Sequence, residues 1–228
     1  MTMLRKALRE KGAALALATI FALTACSVGC VPKDKPADQG FMKEGTEALD
    51  AGEWSRAYDA FSKAIEVDSE NADAYYGRAA ASTAQAEEHY RLAEAAATNG
   101  DQAKGLAEGE KADSFFEKST QDCDAALKVD PAYSNAYYLK GVAAQYQGRW
   151  NDGIEAFTEC VKLDANNAEA YHRRGEIYDN IGDYVNSTVD FKKASELGYA
   201  DQGAAGQGAD DFSDLEYDAE ESEATDAN

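Results

Sequence analysis

Basic residues are scarce in this sequence. Lys and Arg number 22 against 43 Asp and Glu, a formal net charge of −21. Phosphate backbones demand Lys and Arg, so the shortage argues against nucleic acid as a partner. It also argues against electrostatic docking on anionic lipid, and any membrane attachment needs another source. Histidine is rarer still, with only His89 and His172 present, neither of them at motif spacing from a Cys or Ser. No phosphate-cradling glycine loop and no zinc-type Cys/His cluster occurs. The chain is therefore read as a non-enzyme with no cofactor and no metal. Only three prolines accompany 44% hydrophobic residues, so one good core can form without disulfides.

What the sequence does have is a repeat. Tyr137, Gly141, Gly148, Trp150, Phe157 and Cys160 return 34 residues later as Tyr171, Gly175, Gly182, Tyr184, Phe191 and Ala194. Ile154, Val161 and Leu163 fall at helical spacing, so each unit is predicted to be two amphipathic helices. Gly148 and Gly182 supply the turn between them. A helix pair of this size cannot bury its apolar faces alone and must stack on its neighbours.

A 34-residue helix–turn–helix period with these glycines and aromatics resembles the tetratricopeptide repeat (TPR). The resemblance implies an all-α fold, a TPR α-solenoid of four repeats. Carried forward from Asp38, the pattern gives repeats at 38–71, 72–133, 134–167 and 168–201, an array over roughly residues 38–200. The second repeat is long: Tyr75 and its counterpart Tyr137 are 62 residues apart. Its extra residues, Ala86 to Asp113, are rich in helix formers, broken only at Thr98-Asn99-Gly100-Asp101. They are predicted to lengthen both helices into a hairpin protruding roughly 20 Å. Its inner seam would pair Ala86, Ala93 and Ala97 with the returning helix, setting Leu92 near Leu106 and Tyr90 near Gly109. On that reading residues 86–113 could be removed without unstacking the array.

The chain ends are different. Arg5, Lys6, Arg9 and Lys11 precede an uncharged, mostly apolar run from Gly12 to Leu23, too short to span a bilayer as a helix. This is signal-peptide grammar, and Leu23-Thr24-Ala25-Cys26 resembles the bacterial lipobox. The resemblance implies cleavage after residue 25, lipidation at Cys26 and a linker over 26–37, holding the protein to a membrane outside the cytoplasm. Cys30, in that linker, is a second anchor, an oxidisable thiol or an unimportant linker residue. At the other end, residues 201–228 carry ten acidic residues and no basic one, the composition of a disordered tail. Phe212, Leu215 and Tyr217 interrupt it at near-helical spacing. The tail is read as solvating, as a cap over repeat four, or as an occupant of the protein's own groove.

In TPR arrays the first helix of each repeat lines a concave groove. The resemblance maps Tyr76, Tyr138, Leu139, Val142, Gln145, Tyr146, His172 and Arg173 onto it, with Asp73, Glu169 and Glu176 beside them. The tyrosines offer large amphipathic area at low entropy cost, as a peptide-binding hot spot requires. The Lys/Asn/Arg pattern of chaperone-type TPRs is missing: Met42, Thr46, Gly77, Asn135 and Leu139 stand there. Cys123 and Cys160 occupy core positions of second helices and are expected to be buried thiols. The expected function is that of a membrane-anchored, extracytoplasmic scaffold binding a protein or peptide partner, similar to bacterial TPR lipoproteins of envelope assembly. The alternative is a small-solute or cell-wall-glycan binding lipoprotein using the same groove. Oligomeric state and partner identity stay open at this level.

Overall fold

The computed structural model describes residues 36–199, and the signal peptide, Cys26, Cys30 and the acidic tail lie outside them. Among the described residues the regular elements are all helices: α1 Pro36–Asp50, α2 Trp54–Val67, α3 Ala72–Thr98, α4 Gln102–Val129, α5 Ser134–Tyr146, α6 Trp150–Leu163, α7 Ala168–Ile181 and α8 Tyr184–Glu196. They pair into four antiparallel hairpins stacked in sequence order. Asn71 and Asn167 cap α3 and α7 by accepting from Ala74 N–H (3.0 Å) and Ala170 N–H (2.9 Å), satisfying donors that the first turn leaves orphaned. Gly148 and Gly182 close the short hairpins at φ of +69° and +83°, a backbone region that side-chain-bearing residues avoid.

First helices α1, α3, α5 and α7 touch one another along the stack, whereas α2, α4, α6 and α8 do not. The first helices therefore form the inner, concave side. Within each short repeat a phenylalanine from the second helix fills the space left by a glycine of the first. A Cβ added at Gly141 would sit 2.6 Å from the Phe157 ring, and one at Gly45 would sit 2.7 Å from Phe61. Repeat two has Cys123 in that place. Cys123 and Cys160 are both free and fully buried, and burial pushes each thiol up to about 12.

The seams between repeats share one ionic device. Arg78 of α3 donates to both Asp122 oxygens (2.9 and 2.6 Å) and to Ser62 Oγ of the preceding repeat (3.2 Å). Arg174 of α7 does the same with Asp190 (2.7 and 2.8 Å) and Thr158 (2.9 Å). Lys140 of α5 occupies the corresponding place and reaches back to Asp124 at 2.6 Å. Bidentate pairing on carboxylates as buried as Asp122 and Asp190 fixes geometry as well as charge.

The long hairpin is where expectation and structure part. Helices α3 and α4 run 27 and 28 residues, twice the length of their neighbours, as the 62-residue spacing implies. Its base, however, does not protrude free. Ala86, Ala112 and Phe116 are buried with Ala143 of α5 in a cluster of their own. Tyr146 of α5 is clasped by Tyr90 (ring centroids 4.9 Å, edge-on) and Phe116 (5.1 Å, stacked). Tyr90 therefore packs on α5 and not at Gly109, whose vicinity is open. Leu106 is 71% exposed, not paired in the seam. The Ala93 and Ala97 seam does form, against Gly105, where an added Cβ would meet the Ala93 carbonyl at 3.3 Å. Deleting residues 86–113 would thus remove part of the core.

Candidate partner-binding groove

The concave side holds a polar network centred on Arg173 of α7, whose side chain is 21% exposed. Its Nε donates to the Tyr138 hydroxyl (3.0 Å) and to Glu169 (3.3 Å), and Nη1 donates to the Gln145 amide oxygen (3.3 Å). Gln145 in turn donates to Glu176 at 2.9 Å, and Glu176 lies 3.5 Å from His172 Nε2. Burial works against the Arg173 charge, but Tyr138, Glu169, Tyr146 and Glu87 outweigh it and raise its pKa. The guanidinium stays charged and is already spoken for by its neighbours.

Glu87 of α3 closes this network from the other side. Burial raises its carboxyl above the usual range, while the Arg173 charge and the Tyr146 hydroxyl pull the other way. Glu176 ends up below the usual range: burial raises it, but His172, Gln145 and Arg173 together prevail. Further along, Tyr76 packs against Tyr133 (centroids 5.4 Å), whose hydroxyl donates to Asp73 at 2.6 Å. Burial raises both phenols, and both are neutral donors at physiological pH.

The residues mapped onto the groove therefore divide. Tyr76, Gln145, Tyr146 and Arg173 lie partly exposed in the groove. Leu139 and Val142 are 3% and 2% exposed within the main core cluster, so they pack the array and offer a partner nothing. Tyr138 is nearly as buried, leaning on Phe157 at 5.9 Å, and contributes through its bond with Arg173. The ring of His172 is stacked on Tyr199 (4.3 Å) and tilted on Phe191 (5.2 Å), at the far end of the groove. His89 pairs with Glu108 at 2.7 Å on the long hairpin, away from the groove. Glu87 and Tyr90 reach this site because the base of the insertion packs on α5 and does not stand clear as the repeat arithmetic predicts. The signal was available: Tyr76, Ala80, Thr83, Glu87 and Tyr90 continue one helical stripe without a break.

No set of three or more His, Cys, Asp or Glu residues is arranged to hold a metal ion among the described residues. Among them, too, no helix is long and apolar enough to cross a membrane.

Comparison with known proteins agrees with this architecture. A tetratricopeptide-repeat family model matches residues 42–87 and 138–187. The chain carries tetratricopeptide repeats. It is 25% identical over 138 residues to the small glutamine-rich tetratricopeptide repeat-containing protein 2 of Mycosarcoma maydis, a match covering 58% of this chain and 31% of that relative. Among solved structures it resembles MamA, with a TM-score of 0.52 and 20% identity over 72% of this chain and 80% of that one. The first TPR of Spaghetti (RPAP3), solved with the HSP90 peptide SRMEEVD, gives 0.50 and 19% over 65% and 95%. Residues 88–137, between the two matched stretches, hold the rest of the long hairpin and the start of α5.

Proposed function

We propose that this TPR array is a protein-binding scaffold whose groove takes an extended basic segment of a partner protein. One observation carries the reading. Asp73, Glu87, Glu169 and Glu176 line the groove against a single guanidinium, that of Arg173, which Tyr138, Gln145 and Glu169 already occupy. The surplus is negative, and Tyr76 and Tyr146 stand beside it as amphipathic contact area. The TPR of Spaghetti holds a peptide with three acidic residues; a groove of this chain's charge suits the opposite kind. Lys or Arg side chains would bridge to the carboxylates while their stems lie along the tyrosine rings.

The same proposal sets the array outside the cytoplasmic membrane, held by lipid at Cys26 and serving assembly of a bacterial envelope. The lipobox-like Leu23-Thr24-Ala25-Cys26 supports it. Cys26→Ala should leave an unprocessed precursor or a soluble protein; a mature-sized band that still partitions with membrane would sink the anchor. The groove is tested by fluorescence anisotropy with labelled Lys/Arg-rich and Glu/Asp-rich peptides. The basic set should bind, weaken with salt, and lose about tenfold in affinity with Glu169→Gln plus Glu176→Gln. Preference for the acidic set, or indifference to the two substitutions, would overturn the groove assignment.

A further inference from the structure

The last repeat ends on a surface built unlike the others. Ser62, Asp124 and Thr158 hold the same place in the second helices of repeats one to three, and each receives the cation of the following first helix. In repeat four that place belongs to Lys192. A further repeat with the usual Arg or Lys would meet a like charge there. Whatever covers this end must bring an acid.

The surrounding surface is apolar where the other repeats are polar. Val185 and Val189 are 76% and 60% exposed. Their counterparts are Ser55 and Asp59, Glu117 and Gln121, and Asn151 and Glu155, all exposed and all polar. Tyr184 (68%) and Ile181 (46%) extend the patch. Val185, Val189 and Lys192 follow one another at i, i+4 and i+7, a single stripe along α8. Just past α8 the chain turns at Gly198 (φ +86°) and lays Tyr199 over His172.

From this we infer that the acidic tail of this same chain covers α8, with Phe212 and Leu215 on the Val185–Val189 stripe and an acidic neighbour paired with Lys192. The 13 residues from Tyr199 to Phe212 reach about 43 Å when extended, against a helix about 20 Å long, so the span is ample. Phe212, Leu215 and Tyr217 are the only large apolar residues between 200 and 228, and every charge there is negative. A tethered segment competes at millimolar effective concentration. A second copy stacked head to tail is the rival occupant, since Glu44 stands where Arg78, Lys140 and Arg174 stand and would face Lys192. Glu44 is engaged by Arg56 (3.2 Å), and a net charge of −21 per chain opposes that association.

The test is hydrogen exchange on the full-length chain. Phe212→Ser with Leu215→Ser should speed amide exchange in α8 at least tenfold and leave α2 unchanged. Lys192→Glu, an exposed substitution that spares the fold, should move α8 in the same direction. Peptide 208–222 added to the double variant should restore protection. Exchange in α8 indifferent to all three changes would overturn the inference. So would α8 protection that grows with protein concentration alongside a molar mass above one chain, which would assign the face to a second copy.

Discussion

Repeats three and four hold together by regularity, whereas repeat two holds by exception. In the short repeats a phenylalanine fills a glycine's space and a cation crosses to the preceding hairpin, and the same parts recur every 34 residues. Repeat two has no such phenylalanine: Cys123 stands in its place, and Phe116, two turns earlier on α4, packs with Ala86, Ala112 and Ala143 instead. The space at Gly77 is filled by Phe61 of repeat one, while Phe116, in the register of Trp150, packs with Ala86 and Ala112 of the insertion against α5. An insertion can be a core element at its base and an appendage only at its tip.

The sharpest way to break this contrast is to delete residues 86–113 with Ser114→Gly, which restores a 34-residue repeat on paper. The expected cost is a fall in melting temperature of roughly 10–20 °C, with Tyr146 deprived of its Tyr90 contact. Removing only 94–97 and 102–105, a turn from each helix at the tip, should shift it by less than about 3 °C. Equal melting temperatures for the two deletions would mean that the base contacts carry no weight.

Single substitutions sharpen it further. Phe116→Ala should cost about 3–5 kcal/mol in urea denaturation, the price of a fully buried aromatic. Gly141→Ala attacks the regular repeats, forcing a methyl to within 2.6 Å of the Phe157 ring. Overpacking of that kind should cost about 1–3 kcal/mol, and a neutral result would show that the ring has room to retreat.

The two regions also respond to pH with opposite signs. Glu176, in a regular repeat, is held below the usual carboxylate range despite its burial. Its contribution is present above the unfolded value of about 4.3 and disappears as pH falls through the folded one. Glu87, in the insertion, is raised by burial. Folding then favours its protonated form, a contribution present below the unfolded value and lost as pH rises through the folded one. Glu176→Gln should therefore lower stability near pH ~7 and not near pH ~3, while Glu87→Gln should raise it near pH ~7. Urea midpoints across that range would show whether either sign is wrong. The smallest effect belongs to the tip, where Leu106→Ala should stay within about 0.5 kcal/mol.

How much of this was legible depends on whether a residue has counterparts. Gly141 and Gly175, or Phe157 and Phe191, announce themselves by recurring at a fixed offset. The four-hairpin solenoid with its long second member follows from that period alone. Leu139 and Val142 mislead because a groove position in a repeat template does not say whether the neighbouring helices of the array close over it, as they do here in the main core cluster. Ala86 was expected in the hairpin seam, but Ala112 and Ala143 gave no warning, since alanine is as much at home on a helix surface as in a close seam. Glu87 was hidden for the same reason: it stands in a stretch with no equivalent elsewhere in the chain.

The ring of Phe61 has one more consequence. It sits against the backbone of Gly45 in its own repeat and, at 2.5 Å from the position of an added Cβ, against Gly77 in the next. Phe157 and Phe191 press only on glycines of their own repeats. Under mechanical load the links are therefore unequal. Pulled from its two ends, the array should surrender repeat four and then repeat three as separate extensions of about 110–120 Å each, the contour of 34 residues. Repeats one and two, pinned by one shared ring, should let go in a single longer event.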